Sequence, residues 1–142
     1  MMALEPIHAT SVAIGGRAVL IEGPSGAGKS DLALRLIDRG AMLVSDDYTL
    51  LRACGSEVLA SPPTTIAGRM EVRGIGIVAM PYLADVPVRL LVRLAGDIER
   101  MPELSTRDIG GVAVPVTTVD PQAASTAIKV ELALHHLERQ AA

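Results

Sequence analysis

The sequence predicts an α/β fold, a single domain over residues 1–142 in which a β-rich mixed sheet surrounds a glycine-rich loop. Three observations carry that prediction. An apolar run, Ala18-Val19-Leu20-Ile21, leads straight into the loop Gly23–Ser30. An amphipathic segment, Lys29–Arg39, follows it. Beyond Tyr48 the chain breaks into short apolar stretches separated by Gly and Pro, the pattern of strands and turns.

Taken in order, Thr10–Ile14 and Arg17–Glu22 read as two strands joined at Gly15-Gly16, a pair suited to a tight hairpin turn. The second is continuously apolar, as a strand covered on both faces must be. In the helix after the loop, Leu32, Leu36 and Ile37 share one side while Asp31, Arg35, Asp38 and Arg39 face mostly outward. Gly40 is placed to end it. Ala41–Ser45 returns as a short strand ending at Asp46-Asp47. Tyr48–Ala53 and Glu57–Ala60 flank Cys54-Gly55-Ser56 as a hairpin, and Met70–Arg73, Ile75–Met80 and Val86–Leu94 are further strands. The charged stretch from Ala95 to Gly111, punctuated by Pro and Gly, reads as a mobile loop, and Val112–Val119 as one more strand. Asp120 reads as a helix cap with Pro121 in the first helical position, opening a final helix to about Glu138.

Composition narrows the function. Hydrophobic residues at 49% and charged residues at 20% are ordinary for a globular domain, which excludes disorder. A formal net charge of −3 and only two aromatic residues, Tyr48 and Tyr82, leave neither a basic field nor a stacking platform for nucleic acid. A single cysteine, Cys54, excludes an internal disulfide and a cysteine-based metal cluster. No stretch is long and apolar enough for a spanning helix, and Met1–Pro6 does not resemble a signal peptide, so the expected compartment is the cytoplasm with no membrane partner.

The chemistry-bearing motif is Gly23-Pro24-Ser25-Gly26-Ala27-Gly28-Lys29-Ser30, which fits G-x-x-x-x-G-K-[ST]. Its glycines let backbone N–H groups turn inward around a phosphate. Lys29 offers a point charge to the β- and γ-phosphates, the Ser30 hydroxyl offers an oxygen to Mg²⁺, and the helix that follows points its positive end at the same place. The expected cofactors are ATP and Mg²⁺.

Three more elements surround the loop: His8, the pair Asp46-Asp47, and Glu71-Val72-Arg73-Gly74-Ile75-Gly76-Ile77. Together they resemble the HPr kinase/phosphorylase family, whose members phosphorylate a serine of the phosphocarrier protein HPr. The phosphate loop followed by an acidic residue (here Asp31), the paired aspartate and the strand E-[IV]-R-G-[LI]-G-[IL] are all matched, from about His8 to Gly76. The resemblance covers the catalytic domain and implies a nucleotide domain like that of phosphoenolpyruvate carboxykinase, a cytoplasmic enzyme of the phosphotransferase system and a homo-oligomer, by resemblance a hexamer.

The resemblance also implies roles. Gly23–Ser30 hold the nucleotide, and Ser30 and Glu71 serve Mg²⁺. Asp47 accepts the proton of the attacking serine, with His8 near it. Glu71, Arg73 and Gly74 belong to the signature strand. Arg100 matches an arginine of a mobile loop, with Arg107 the alternative. One departure stands out. Where the family carries a basic, glycine-containing segment ahead of the last helix, this chain has Gln122-Ala123-Ala124-Ser125-Thr126, so the kinase direction is expected and the phosphorylase direction is in doubt. The rival readings are a small-metabolite P-loop kinase and a nucleotide-sensing module without catalysis.

Overall fold

The computed structural model describes residues 2–141. The elements in chain order are β1 (Met2–Ala3), β2 (Thr10–Ile14), β3 (Arg17–Glu22), α1 (Lys29–Asp38), β4 (Met42–Ser45), β5 (Leu50–Cys54), β6 (Glu57–Ser61), β7 (Arg69–Val72), β8 (Gly76–Ala79), β9 (Val86–Leu94), β10 (Ser105–Ile109), β11 (Val112–Val119) and α2 (Thr126–Ala141). Nine strands form one mixed sheet in the order β1-β5-β6-β9-β3-β2-β4, with β11 and then β10 added beside β9. β7 and β8 stand apart as a two-stranded hairpin.

The long strand β9 is the branch point. One edge runs parallel to β3. The other pairs first with β6, at Leu59↔Pro87 and Ala60↔Val86, and then with β11, from Val116↔Leu91 to Val119↔Leu94. Because two strands share that edge in succession, the sheet divides there and curls, and it acquires two cores. On β3, Val19 and Ile21 face the helices and join Leu32, Leu36, Leu90, Val130 and Leu134. The alternate residues Ala18 and Leu20 face into the curl with Val44, Val58, Leu91 and Val114. This explains why β3 carries no polar residue between Arg17 and Glu22: both faces are covered.

α1 lies on the first core through Leu32, Ala33 and Leu36. It ends in paired backbone bonds, Gly40 N–H to Ile37 O at 3.0 Å and Ala41 N–H to Leu36 O at 3.1 Å, the arrangement of a Schellman motif. An arginine of α1 and the arginine at its C-cap tie the helix to the C-terminal region. Arg39 bonds Glu131 through Nε and Nη2 at 3.0 and 2.8 Å, and that hydrogen-bonded carboxylate holds the guanidinium above its ordinary pKa. Arg35 donates to the carbonyls of Pro121 and Ala123.

Three segments differ from the sequence expectation, the first being Met2–Ala3, which pairs with β5 as β1 where no strand is expected. The stretch 95–111 is not all loop, because Ser105–Ile109 forms β10 against β11. Its turn is Gly110-Gly111 with φ of 58° and 87°, the same device as Gly15-Gly16 with φ of 58° and 77°. As a sheet-edge strand β10 buries only Ile109 and is otherwise polar, so it lacks the apolar signal of the inner strands. The last helix begins at Thr126 rather than Pro121. The Asp120 carboxylate accepts the Gln122 N–H at 2.9 Å and the Asp120 carbonyl accepts the Ala123 N–H at 3.2 Å, so Asp120-Pro121 opens a turn first. Elsewhere the strand limits shift by one or two residues.

Leu36 is fully buried between α1 and the sheet. Leu36→Ala is expected to lower unfolding stability by about 2–5 kcal/mol, the usual range for such a cavity, and urea denaturation measures it. A loss below about 1 kcal/mol would show that this face does not carry the core.

Candidate functional site

The residues singled out in the sequence gather at one end of the sheet because three chain passages meet there. β3 ends at Glu22 and runs into the loop, β4 ends at Ser45 and runs into Asp46-Asp47, and β2 begins at Thr10 just after His8. The register fixes the meeting, with Thr10 opposite Ile21 and Ser11 opposite Ser45. Between the Ser11↔Ser45 and Val12↔Leu43 pairs β4 carries one extra residue, Val44. Such a bulge re-aims the strand end that follows it.

The loop opens α1 with Gly28 at its N-cap, at φ 106° and with no side-chain cap, which leaves the first amides of the helix without a side-chain acceptor. Such an end attracts anions. Lys29 is only 6% exposed. Its ammonium is drawn into the loop, where it donates to the carbonyls of Gly23 at 2.8 Å and Pro24 at 3.2 Å. Pro24, Ser25 and Gly26 are exposed at the crest, and Ala27 closes the turn by donating to the Pro24 carbonyl.

The two aspartates have different surroundings. Asp46 is 8% exposed. Its Oδ1 accepts from the Ser30 hydroxyl at 2.6 Å and the Thr10 hydroxyl at 3.2 Å, and its Oδ2 accepts from the Glu71 N–H at 3.0 Å. Asp47 is exposed, its side chain 61% accessible, and its Oδ1 lies 2.9 Å from His8 Nε2. The Tyr48 ring stacks on the His8 ring with centroids 4.9 Å apart. The Asp47 backbone has φ of 69°, and the Asp46 carbonyl accepts the Tyr48 N–H across it at 2.8 Å. That three-residue turn with a positive φ at its centre is rare and strained for a residue bearing a side chain.

Glu71 reaches the site through its backbone, and its side chain is exposed. Among the described residues no group of three or more His, Cys, Asp and Glu is gathered as a metal cage. What is gathered is the Ser30 hydroxyl and the Asp46 carboxylate. Such a partial oxygen set fits Mg²⁺, which keeps several waters and takes further oxygens from substrate phosphates. Arg73 and Gly74 occupy the exposed turn of the β7–β8 hairpin, where the Ile75 N–H bonds the Val72 carbonyl at 2.9 Å and Gly74 has φ of 87°.

The two candidate arginines are separated. Arg100 is exposed in the loop between β9 and β10. Arg107 is a strand residue of β10, and its Nη1 bonds both oxygens of Glu22 at 2.9 and 2.8 Å. Arg93 Nε bonds the same carboxylate at 3.1 Å. Glu22 directly precedes the phosphate-loop motif, so this triad fastens both roots of the Arg100 loop to the root of the glycine loop. Sequence reasoning missed Glu22 and Thr10. Glu22 lies one residue before a motif that begins at Gly23, and Thr10 looks like any β-branched strand residue. Beside the site, a cleft of about 340 Å³ runs between residues 4–8 and Arg107–Gly110, with His8 and Arg107 in its walls.

Residues 1–84 match the model of the HPr serine kinase C-terminal domain. The chain belongs to that family. Among similar curated proteins is the HPr kinase/phosphorylase of Clostridium tetani, 38% identical over 92 residues, or 65% of this chain and 30% of the relative. That of Alkaliphilus metalliredigens is 39% identical over 103 residues, 72% of this chain and 32% of the relative. The chain therefore spans about a third of the length of these family members. A solved structure described as the Hpr(Ser) kinase/phosphatase from Coxiella burnetii is 29% identical and superposes with a TM-score of 0.82, covering 96% of this chain and 99% of that one. The mixed α/β fold with its curled sheet is thus that of this kinase family.

Asp46→Ala leaves two hydroxyls and one amide without their acceptor. It is expected to cost roughly 1–3 kcal/mol, the range for buried groups left unsatisfied. Amide hydrogen exchange at Glu71 should quicken more than exchange in β9, and equal change at both positions would show that Asp46 does not tether the hairpin.

Proposed function

We propose that this chain is the catalytic part of an ATP-dependent protein serine kinase that acts on an HPr-like phosphocarrier and so regulates a phosphotransferase system. The observation that carries the reading is the placement of two carboxylates of opposite character beside one phosphate loop. Asp46 is buried and bonded to Ser30, whereas Asp47 is open to solvent and bonded to His8. Phosphoryl transfer needs positioning and charge neutralisation more than covalent help, and this arrangement divides those tasks.

In this reading the amides of Gly23–Ser30 and the start of α1 hold the β- and γ-phosphates, and Lys29 exchanges the Gly23 and Pro24 carbonyls for phosphate oxygens. Ser30 would lend its hydroxyl oxygen to Mg²⁺, with Asp46 behind it and Glu71 alongside, and the ion would supply charge neutralisation on the phosphates. The serine oxygen of the acceptor protein forms the new bond to the γ-phosphorus as the bond to the ADP oxygen breaks, and the serine proton passes to Asp47. His8, with Nε2 against Asp47 Oδ1, orients that carboxylate. Asp46 is less suited to the base role because three donors already occupy it. Arg100, on the loop rooted at Glu22, is the cation able to approach the transferring group, since Arg107 is engaged by Glu22.

The phosphorylase direction has weaker support. The segment ahead of α2 brings no basic side chain of its own. The nearby Arg35 guanidinium is spent on the carbonyls of Pro121 and Ala123. Phosphorolysis must bring inorganic phosphate against a phosphoserine, two anions that need cationic or amide support.

Incubation with labelled ATP and HPr, and with ATP alone, tests the reading: labelled phosphoserine on HPr is expected, whereas label on neither, despite ATP binding, would favour a nucleotide sensor. Asp47→Asn should bind ATP nearly normally and phosphorylate on the order of 10²–10⁴ times more slowly, the usual worth of a positioned base. Near-normal transfer by that variant would remove Asp47 from the base role. Release of pyrophosphate from phospho-HPr at millimolar phosphate should be slow beside the forward reaction at millimolar ATP, and comparable rates would contradict the proposed direction.

A further inference from the structure

The Thr10 hydroxyl is fully buried and has one proton to give. It donates that proton to Asp46 Oδ1 at 3.2 Å and at the same time accepts the Asp47 N–H at 3.1 Å. One oxygen atom therefore touches both neighbouring aspartates, the side chain of the first and the backbone of the second. Asp46 Oδ1 is also the oxygen that receives the Ser30 hydroxyl, so Thr10 and Ser30 share one acceptor.

From this geometry we infer that Thr10 is a positioning residue for transfer. It fixes the distance between the carboxylate behind Ser30 and the strained turn that presents Asp47 to the acceptor hydroxyl. Two constraints bring this about. The Asp46 carboxylate is held from three sides, by Thr10, Ser30 and the Glu71 amide, so it has little freedom to rotate. The Asp47 turn, with φ of 69°, is costly unless its surroundings hold it, and among the described residues its N–H finds its acceptor in Thr10 Oγ1. The hydroxyl is itself immobilised. Thr10 stands on β2 between β3 and β4, and its neighbour Ser11 bonds the Thr49 hydroxyl at 2.8 Å, which in turn donates to the Ala9 carbonyl at 2.8 Å. The segment after the aspartates is thereby pinned to β2 on both sides of Thr10. Loss of the Thr10 hydroxyl frees the turn to relax while leaving the loop that holds nucleotide in place.

The inference rests on the kinase reading above, and the test separates the two. Thr10→Val keeps the shape and removes the hydroxyl, and Thr10→Ser keeps the hydroxyl and removes the methyl. In HPr phosphorylation the valine variant should lose kcat by on the order of 10–100-fold, the penalty of a small misplacement, with KM for ATP changed less than threefold. The serine variant should recover kcat to within about threefold of the parent. The His8 imidazole resonances should shift in Thr10→Val and stay in place in Thr10→Ser, because the ring reports on the position of Asp47. A valine variant with parental kcat and unmoved His8 resonances overturns the inference, as does a serine variant that fails to restore either readout. Should the valine variant not fold, Thr10→Ala is judged by the same two readouts. If the parent protein itself phosphorylates no HPr, the kinase reading fails, and the His8 resonances alone decide whether Thr10 positions Asp47.

Discussion

A carboxylate taken out of water must find donors, and the Asp46 carboxylate finds all of them in remote parts of the chain: a hydroxyl from β2, a hydroxyl from the first turn of α1 and a backbone amide from β7. Strand register brings the glycine loop and the end of β4 together, and these three bonds fasten them and the detached hairpin at one point. The β7–β8 hairpin lies outside the main sheet. Its placement depends on this bond together with the packing of Met70 in the helix-side core.

In the kinase reading proposed above, the consequence for chemistry is a division of labour between adjacent residues. A group fully occupied by donors is fixed and suits the support of a metal-binding hydroxyl. A group with one exposed partner is available to a substrate. Asp46 and Asp47 are adjacent in sequence, yet the first is buried among three donors while the second, at a φ of 69°, is exposed beside His8. A second fastening acts on the opposite side of the loop, where Glu22 holds Arg93 and Arg107. It joins the root of the glycine loop to both roots of the loop that carries Arg100, through two half-exposed arginines on one largely buried carboxylate.

Much of this was legible in the residues. The loop motif, the apolar strand before it and the amphipathic helix after it stand as expected, with α1 one residue shorter. The family resemblance read from Asp46-Asp47 and the Glu71–Ile77 segment, which proves to span the β7–β8 turn, agrees with the family match over residues 1–84. Two boundaries were misread for identifiable reasons. At β10 the polar alternation of an edge strand resembles a loop, although Gly110-Gly111 carried the same turn signal that was recognised at Gly15-Gly16. At Asp120-Pro121 a pattern suited to a helix start was used as a turn, because Asp120 found the Gln122 amide and Thr126 bonded back to the Asp120 carbonyl.

The sequence by itself determined the local chemistry: which residues turn, which bury a face, and which carry oxygen, amine or carboxylate at motif spacing. These follow from bonds between near neighbours and from the periodicity of burial, both of which are properties of a short window. Only the tertiary structure decided which aspartate is buried and which is open, that Arg107 is held while Arg100 is free of the sheet, and that Thr10 bonds the side chain of Asp46 and the backbone of Asp47. Those outcomes depend on contacts between residues far apart in the chain, from 16 positions for Ser30 and Asp46 to 85 for Glu22 and Arg107. Their partners are set by strand register and by the curl at β9, and no local pattern of residues encodes either.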